Sequence, residues 1–108
     1  MRFNHRIPFG RKLEDVIIPN EVVRDKKIGV FEKVCFGILL RDVDLQGRCI
    51  PSIKRLAGFL SCSEIDAQLC LDHLRAACWI NWIDRSDEPR LYRLYSSAEH
   101  NAKDKNNG

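Results

Sequence analysis

Three stretches of the chain predict an α+β domain. Over residues 52–78, two short amphipathic runs follow one another across a tight turn. Directly after them, residues 79–85 and 91–95 alternate their side chains with a period of two. Ahead of them, residues 30–41 hold a longer apolar helical run. Two helices across a short turn make a helix-turn-helix, and a β-hairpin directly behind it makes a wing. The expected architecture is therefore a winged helix-turn-helix, a three-helix core plus a C-terminal β-hairpin wing.

Residues 1–14 carry Arg2, Arg6, Arg11 and Lys12 and read as a basic arm, able to lie on phosphates or in a minor groove if the domain binds DNA. Residues 15–95 are the expected domain. Asp15-Val16-Ile17-Ile18 reads as a short strand stopped by Pro19, and it is expected to pair with the later hairpin. Asn20 suits the cap of a brief helical turn over residues 21–25. In the run 30–41, Phe31, Val34, Cys35, Ile38 and Leu39 share one side, while Phe36 and Leu40 widen it past half the circumference. Gly37 within it costs about 1 kcal/mol relative to alanine, which points to a close neighbour. Residues 42–48 are a polar loop and Cys49-Ile50 is a candidate for a very short strand.

Ser52, behind Pro51, is an N-cap for the first motif helix, in which Ile53, Leu56, Ala57 and Leu60 recur at i, i+3, i+4 and i+7. Ser61-Cys62 makes the turn. Ser63 caps the second helix, the recognition helix, and Glu64 and Asp66 in its first turn suit the positive end of the dipole. Ile65, Leu69, Leu71, Leu74 and Cys78 are expected to form its buried side. In the hairpin, Trp79, Asn81 and Ile83 oppose Ile80, Trp82 and Asp84, and the alternation leaves open which face is buried. Ser86-Asp87-Glu88-Pro89 reads as the wing tip. Residues 96–108 show no apolar periodicity and read as a disordered polar tail.

Composition narrows the class further. The chain has 108 residues, 44% of them hydrophobic, and a net charge of +3, which fits one folded domain. No apolar run approaches the ~20 residues that span a bilayer. The basic start lacks the apolar core of a signal peptide, so a cytoplasmic protein without membrane contact is expected. The five cysteines, at positions 35, 49, 62, 70 and 78, contain no C-x-x-C pair and read as reduced core thiols. His5, His73 and His100 form no ligand cluster, so neither metal nor cofactor is expected. No phosphate loop, zinc-protease motif or nucleophile–base set appears, and the expectation is a protein that is not an enzyme.

Ile18-Pro19-Asn20-Glu21-Val22-Val23-Arg24-Asp25-Lys26-Lys27-Ile28 resembles the lead-in of a winged-helix group found in phage and plasmid replication proteins. That group is similar to the amino-terminal domains of replisome organisers and DnaD-like primosome proteins. Ser52-Ile53-Lys54-Arg55-Leu56-Ala57, the helix opening at Ser63 and the strand Trp79-Ile80 extend the resemblance over about residues 16–95. It implies DNA binding in replication or transcription control of a mobile element, although such domains also occur as oligomerisation modules. The chain departs from the pattern twice. Cys78 stands where the family usually has a glycine, and the recognition helix sets Glu64, Asp66 and Asp72 against Arg75 alone.

Two readings follow. For double-stranded DNA as partner, the candidate contacts are Lys54 and Arg55 on the first motif helix, Ser63, Gln68 and Arg75 on the second, and Arg85, Arg90 and Arg93 on the wing. In the alternative, the acidic helix presents Glu64 and Asp66 to a basic protein partner of the replication or transcription machinery. Trp82 then anchors the interface if it lies on the outer face of the hairpin. The apolar surplus of the helix over residues 30–41 favours a homodimer, which would set two units on a palindromic site.

Overall fold

The computed structural model describes the backbone of residues 2–3 and 16–107, and the side chains of residues 16–103. The expected basic arm lies outside the described residues, apart from the backbone of one short strand. In chain order the elements are β1 (Arg2–Phe3), β2 (Ile17–Ile18), α1 (Asn20–Arg24), α2 (Val30–Leu40), β3 (Arg48–Cys49), α3 (Ile53–Leu60), α4 (Glu64–Ala76), β4 (Ile80–Arg85), β5 (Glu88–Leu94) and α5 (Ser97–Asn107). Helices α2, α3 and α4 pack around one core. The antiparallel sheet, ordered β3-β5-β4, closes one side of it. The fold is the winged helix-turn-helix of the α+β class.

Local chemistry builds the motif as its sequence dictates. The Ser52 hydroxyl accepts the Arg55 amide at 3.2 Å and starts α3. The Ser63 hydroxyl accepts the Asp66 amide at 3.0 Å and starts α4. Both helices end in the same way. The Cys62 amide reaches back to the Ala57 carbonyl and the Trp79 amide to the Leu74 carbonyl, each at 3.0 Å. This pattern requires a left-handed residue just before the donor, and Ser61 (φ 54°) and Cys78 (φ 66°) supply it. The backbone at Cys78 thus takes the conformation for which glycine is the usual residue.

Helix α2 runs through the centre of the core. Phe36 meets Trp79 edge-on at 5.7 Å. A Cβ on Gly37 would stand 2.6 Å from Val16 Cγ1 and 3.1 Å from the Ile17 carbonyl oxygen, so only glycine lets β2 lie this close. Strand β2 therefore covers part of the apolar surface of α2 from within the chain, while Val30 and Phe31 at its start stay exposed. The same placement corrects the pairing of β2. It runs parallel to β1, with Ile17 opposite Arg2, and does not join the hairpin. The third place in the sheet goes to β3, which sets Cys49 opposite Tyr92. Gly47 brings it there. At φ 78° its carbonyl accepts the Leu94 amide at 2.8 Å.

Other expectations are corrected. Asn20 is the first residue of α1 rather than its cap. The Pro19 carbonyl accepts the Val23 amide instead. The wing turn is only Ser86 and Asp87, because Arg85 pairs with Glu88 across it. Ile65 and Leu69 are 76% and 47% exposed, not buried. Ala67, Cys70, Leu71 and Leu74 fill that side of α4, with Ala77 and Cys78 beyond its end. The expected disordered tail contains α5. The Ser96 hydroxyl accepts the Glu99 amide and the Glu99 carboxylate accepts the Ser96 amide, a reciprocal capping box. One turn on, His100 stacks flat on Trp79 at 3.7 Å and donates from Nε2 to the Ala77 carbonyl at 3.0 Å.

Candidate nucleic-acid interface

A groove of about 560 Å3 opens between α4 and the hairpin. Gln68, Asp72 and Arg75, spaced i, i+4 and i+7, line it from one flank of α4, while Trp82, Asp84, Arg90 and Tyr92 line it from the strands. The Trp82 and Tyr92 rings, 5.2 Å apart, form its floor. Arg75 lies 4.1 Å over the Trp82 ring and donates from Nε to Asn81 Oδ1 at 2.9 Å. Arg90 lies 5.1 Å over the same ring. Trp82 is consequently only 9% exposed and shares the inner face with Ile80, so it is not the outward anchor considered for a protein partner. Both tryptophans belong to the core.

The wing arginines are neutralised where they stand. Arg85 pairs with Glu88 and donates to the Pro89 carbonyl. Arg90 pairs with Asp84 at 2.6 Å, and Arg93 pairs with Glu99 of α5. A guanidinium already held by a carboxylate must give up that partner, or share it, before it meets a phosphate.

The uncompensated cations lie elsewhere. Lys54 and Arg55 are exposed in the first turn of α3. Arg55 sits 5.3 Å over the half-exposed Phe59 ring, and Arg41, at the end of α2, lies 5.5 Å over the same ring. None of Arg41, Lys54 and Arg55 has a carboxylate partner among the described residues, and neither does Arg75. The cleft that holds Phe59 and Arg55 shares Pro51 with the α4–wing groove, so the two depressions flank the N-terminus of α3 as one continuous surface. Arg41 and Phe59 went unread in the sequence. Phe59 stands four residues after Arg55, a helical pairing signal, but Arg41 arrives from another helix and leaves no local trace.

The remaining candidates divide between the flanks of α4. Gln68 faces the groove and donates to Asp72 at 3.2 Å. The Ser63 hydroxyl is engaged in its cap. Asp66 faces the opposite way, into a cleft against α2, and Glu64 is exposed in the same first turn. Near that cleft, burial alone would raise the Glu32 carboxyl. Hydrogen bonds from His73 Nδ1 and the Gly29 amide outweigh it and hold the group below the ordinary carboxylate range. The five thiols are free, and burial pushes Cys70 up to about 11, Cys49 to about 12 and Cys35 higher still. Among the described residues no cluster could hold a metal, and no helix is long and apolar enough to cross a membrane.

No family model and no curated protein matches the chain. Among solved structures, the N-terminal domain of a DNA binding protein superposes on 87% of this chain and 86% of its own, with a TM-score of 0.58 and 16% identity. The likeness is one of fold.

Proposed function

We propose that the chain is a DNA-binding winged-helix protein acting, without catalysis, in replication or transcription control of a phage or plasmid. One observation carries the DNA reading: the uncompensated cations Arg41, Lys54, Arg55 and Arg75 gather around the N-terminus of α3 and the adjoining groove. A helix N-terminus adds its own partial positive charge and free amides at that point. A duplex backbone laid across α3 meets Lys54, Arg55 and Arg41. Arg75 and Gln68 then approach from α4, and the hairpin, balanced in charge, flanks the track without driving affinity. The solved DNA-binding domain of the same fold supports the class of partner. The lead-in over residues 18–28 supports the setting of a mobile element's replication.

The test is fluorescence anisotropy with a labelled random duplex across a salt series. The parent is expected to bind at low salt and to weaken steeply, because each neutralised phosphate contributes about 0.9 to the log–log slope. Removing Arg41, Lys54 and Arg55 together should lower that slope by up to about 2.7. Removing Arg85, Arg90 and Arg93 together should change the slope less. No binding at low salt would reject the function. A slope that falls only with the wing arginines would move the interface to the hairpin tip.

A further inference from the structure

We infer that the cleft between α2 and α4 docks a protein partner: a short amphipathic helix carrying Lys or Arg beside its apolar side chains. Phe31 of α2 and Leu69 of α4 line this cleft with Cys62 and Cys70, and Glu32 and Asp66 stand at its edge. Ile65, one turn before Leu69, extends the apolar surface along α4, and Val30 is exposed beside Phe31 at the start of α2. Phe31 is 56% exposed, so four large apolar side chains face solvent on the first turn of α2 and the first two turns of α4. A contiguous apolar face with a charged border marks an interaction site far more often than a scatter of single exposed residues does.

The chemistry selects the occupant. The cavity holds about 220 Å3, below the roughly 300–1,000 Å3 of small-molecule pockets, and suits a few side chains from a larger partner. Its walls are two helices, the setting in which a third helix lays its apolar stripe. At the cleft, Asp66 has no cation partner among the described residues and Glu32 has only His73, so a partner that complements these carboxylates carries positive charge. Nucleic acid is repelled by them. A second copy docked by two-fold symmetry would bring the same two carboxylates and no cation from this cleft. Asp66, Leu69 and Cys70 lie on one flank of α4, whereas Gln68, Asp72 and Arg75 lie on the other, so the cleft and the DNA groove can be occupied together.

The experiment uses the full chain and two labelled model peptides with the same leucine stripe, one carrying lysines beside it and one carrying glutamates. Anisotropy should show the Leu/Lys peptide binding at least about tenfold more tightly than the Leu/Glu peptide. Leu69→Asn should weaken the Leu/Lys peptide about tenfold, and Asp66→Lys should shift preference toward the Leu/Glu peptide. Both positions are exposed, and circular dichroism checks that the variants stay folded. Duplex binding should survive Leu69→Asn, which separates failure here from failure of the DNA reading. Equal binding of the two peptides, or binding indifferent to Leu69, overturns the inference. So does a dimer in sedimentation equilibrium that Leu69→Asn dissolves.

Discussion

Among the described residues, Trp79 is the largest of the fully buried side chains. Its ring is buried between Phe36 and His100, and its indole N–H donates to Asp25 Oδ2 at 2.6 Å. Asp25→Ala removes the acceptor and leaves a buried donor unpaired, which should cost about 1–3 kcal/mol in urea denaturation followed by tryptophan fluorescence. Asp25→Asn keeps an acceptor oxygen and should cost less. Equal losses would mean that the charge, rather than the hydrogen bond, holds the ring. Ser61 offers the opposite sign. It holds φ 54° on the surface, a conformation that costs an L residue about 1–2 kcal/mol and glycine little. After the entropy that glycine loses on folding, Ser61→Gly should stabilise by up to about 1 kcal/mol. A destabilised variant would show that the hydroxyl has an uncounted role.

Elements reveal which parts of the fold are readable. The caps at Ser52 and Ser63 and the period-two hairpin were legible because each signal lies within a few residues of what it controls. The partner of β2 was not, since register between distant segments leaves no local mark. Helix α5 falls between these cases. Its Ser96-x-x-Glu99 box is plainly written, but the segment lacks an apolar stripe and is docked by His100 on Trp79, by the Arg93–Glu99 pair and by Lys103 over Tyr95. Two helix starts also tie the fold to pH. The Glu32 and Glu99 carboxyls are both held below their ordinary value. For Glu99 the first cause is the Ser96 amide. In acid the folded state therefore binds fewer protons than the unfolded chain at these sites. Their contribution is complete above the ordinary value of 4.5 and is lost as pH falls through the lower folded values. Urea midpoints should drop between neutral pH and about pH 3, and less so in Glu32→Gln. An unchanged drop in that variant would remove Glu32 from the account.

At the scale of the whole molecule, the net charge of +3 is less informative than its partition. The hairpin's arginines are balanced by Asp84, Glu88 and Glu99 of α5, the α3 face keeps its cations free, and the α4 cleft keeps Asp66 free beside a Glu32 held by His73. The acidic α4 and the cations Lys54 and Arg55 were legible in the sequence, but the balancing of the hairpin was not, and Arg85, Arg90 and Arg93 looked as available as Lys54 and Arg55. Which cation meets which carboxylate depends on strand register and on α5 folding back. The partition predicts that salt acts differently on stability and on binding. Arg85–Glu88, Arg90–Asp84 and Arg93–Glu99 are substantially exposed, and such pairs contribute only about 0–1 kcal/mol each. Screening them costs little, and screening the repulsion among Arg41, Lys54 and Arg55 offsets part of that. The urea midpoint should therefore stay nearly constant across a salt range over which duplex affinity falls by orders of magnitude. If the midpoint falls with salt as steeply as affinity does, the ion pairs hold the hairpin and α5 in place. The loss of binding would then report unfolding of the wing rather than release of phosphates.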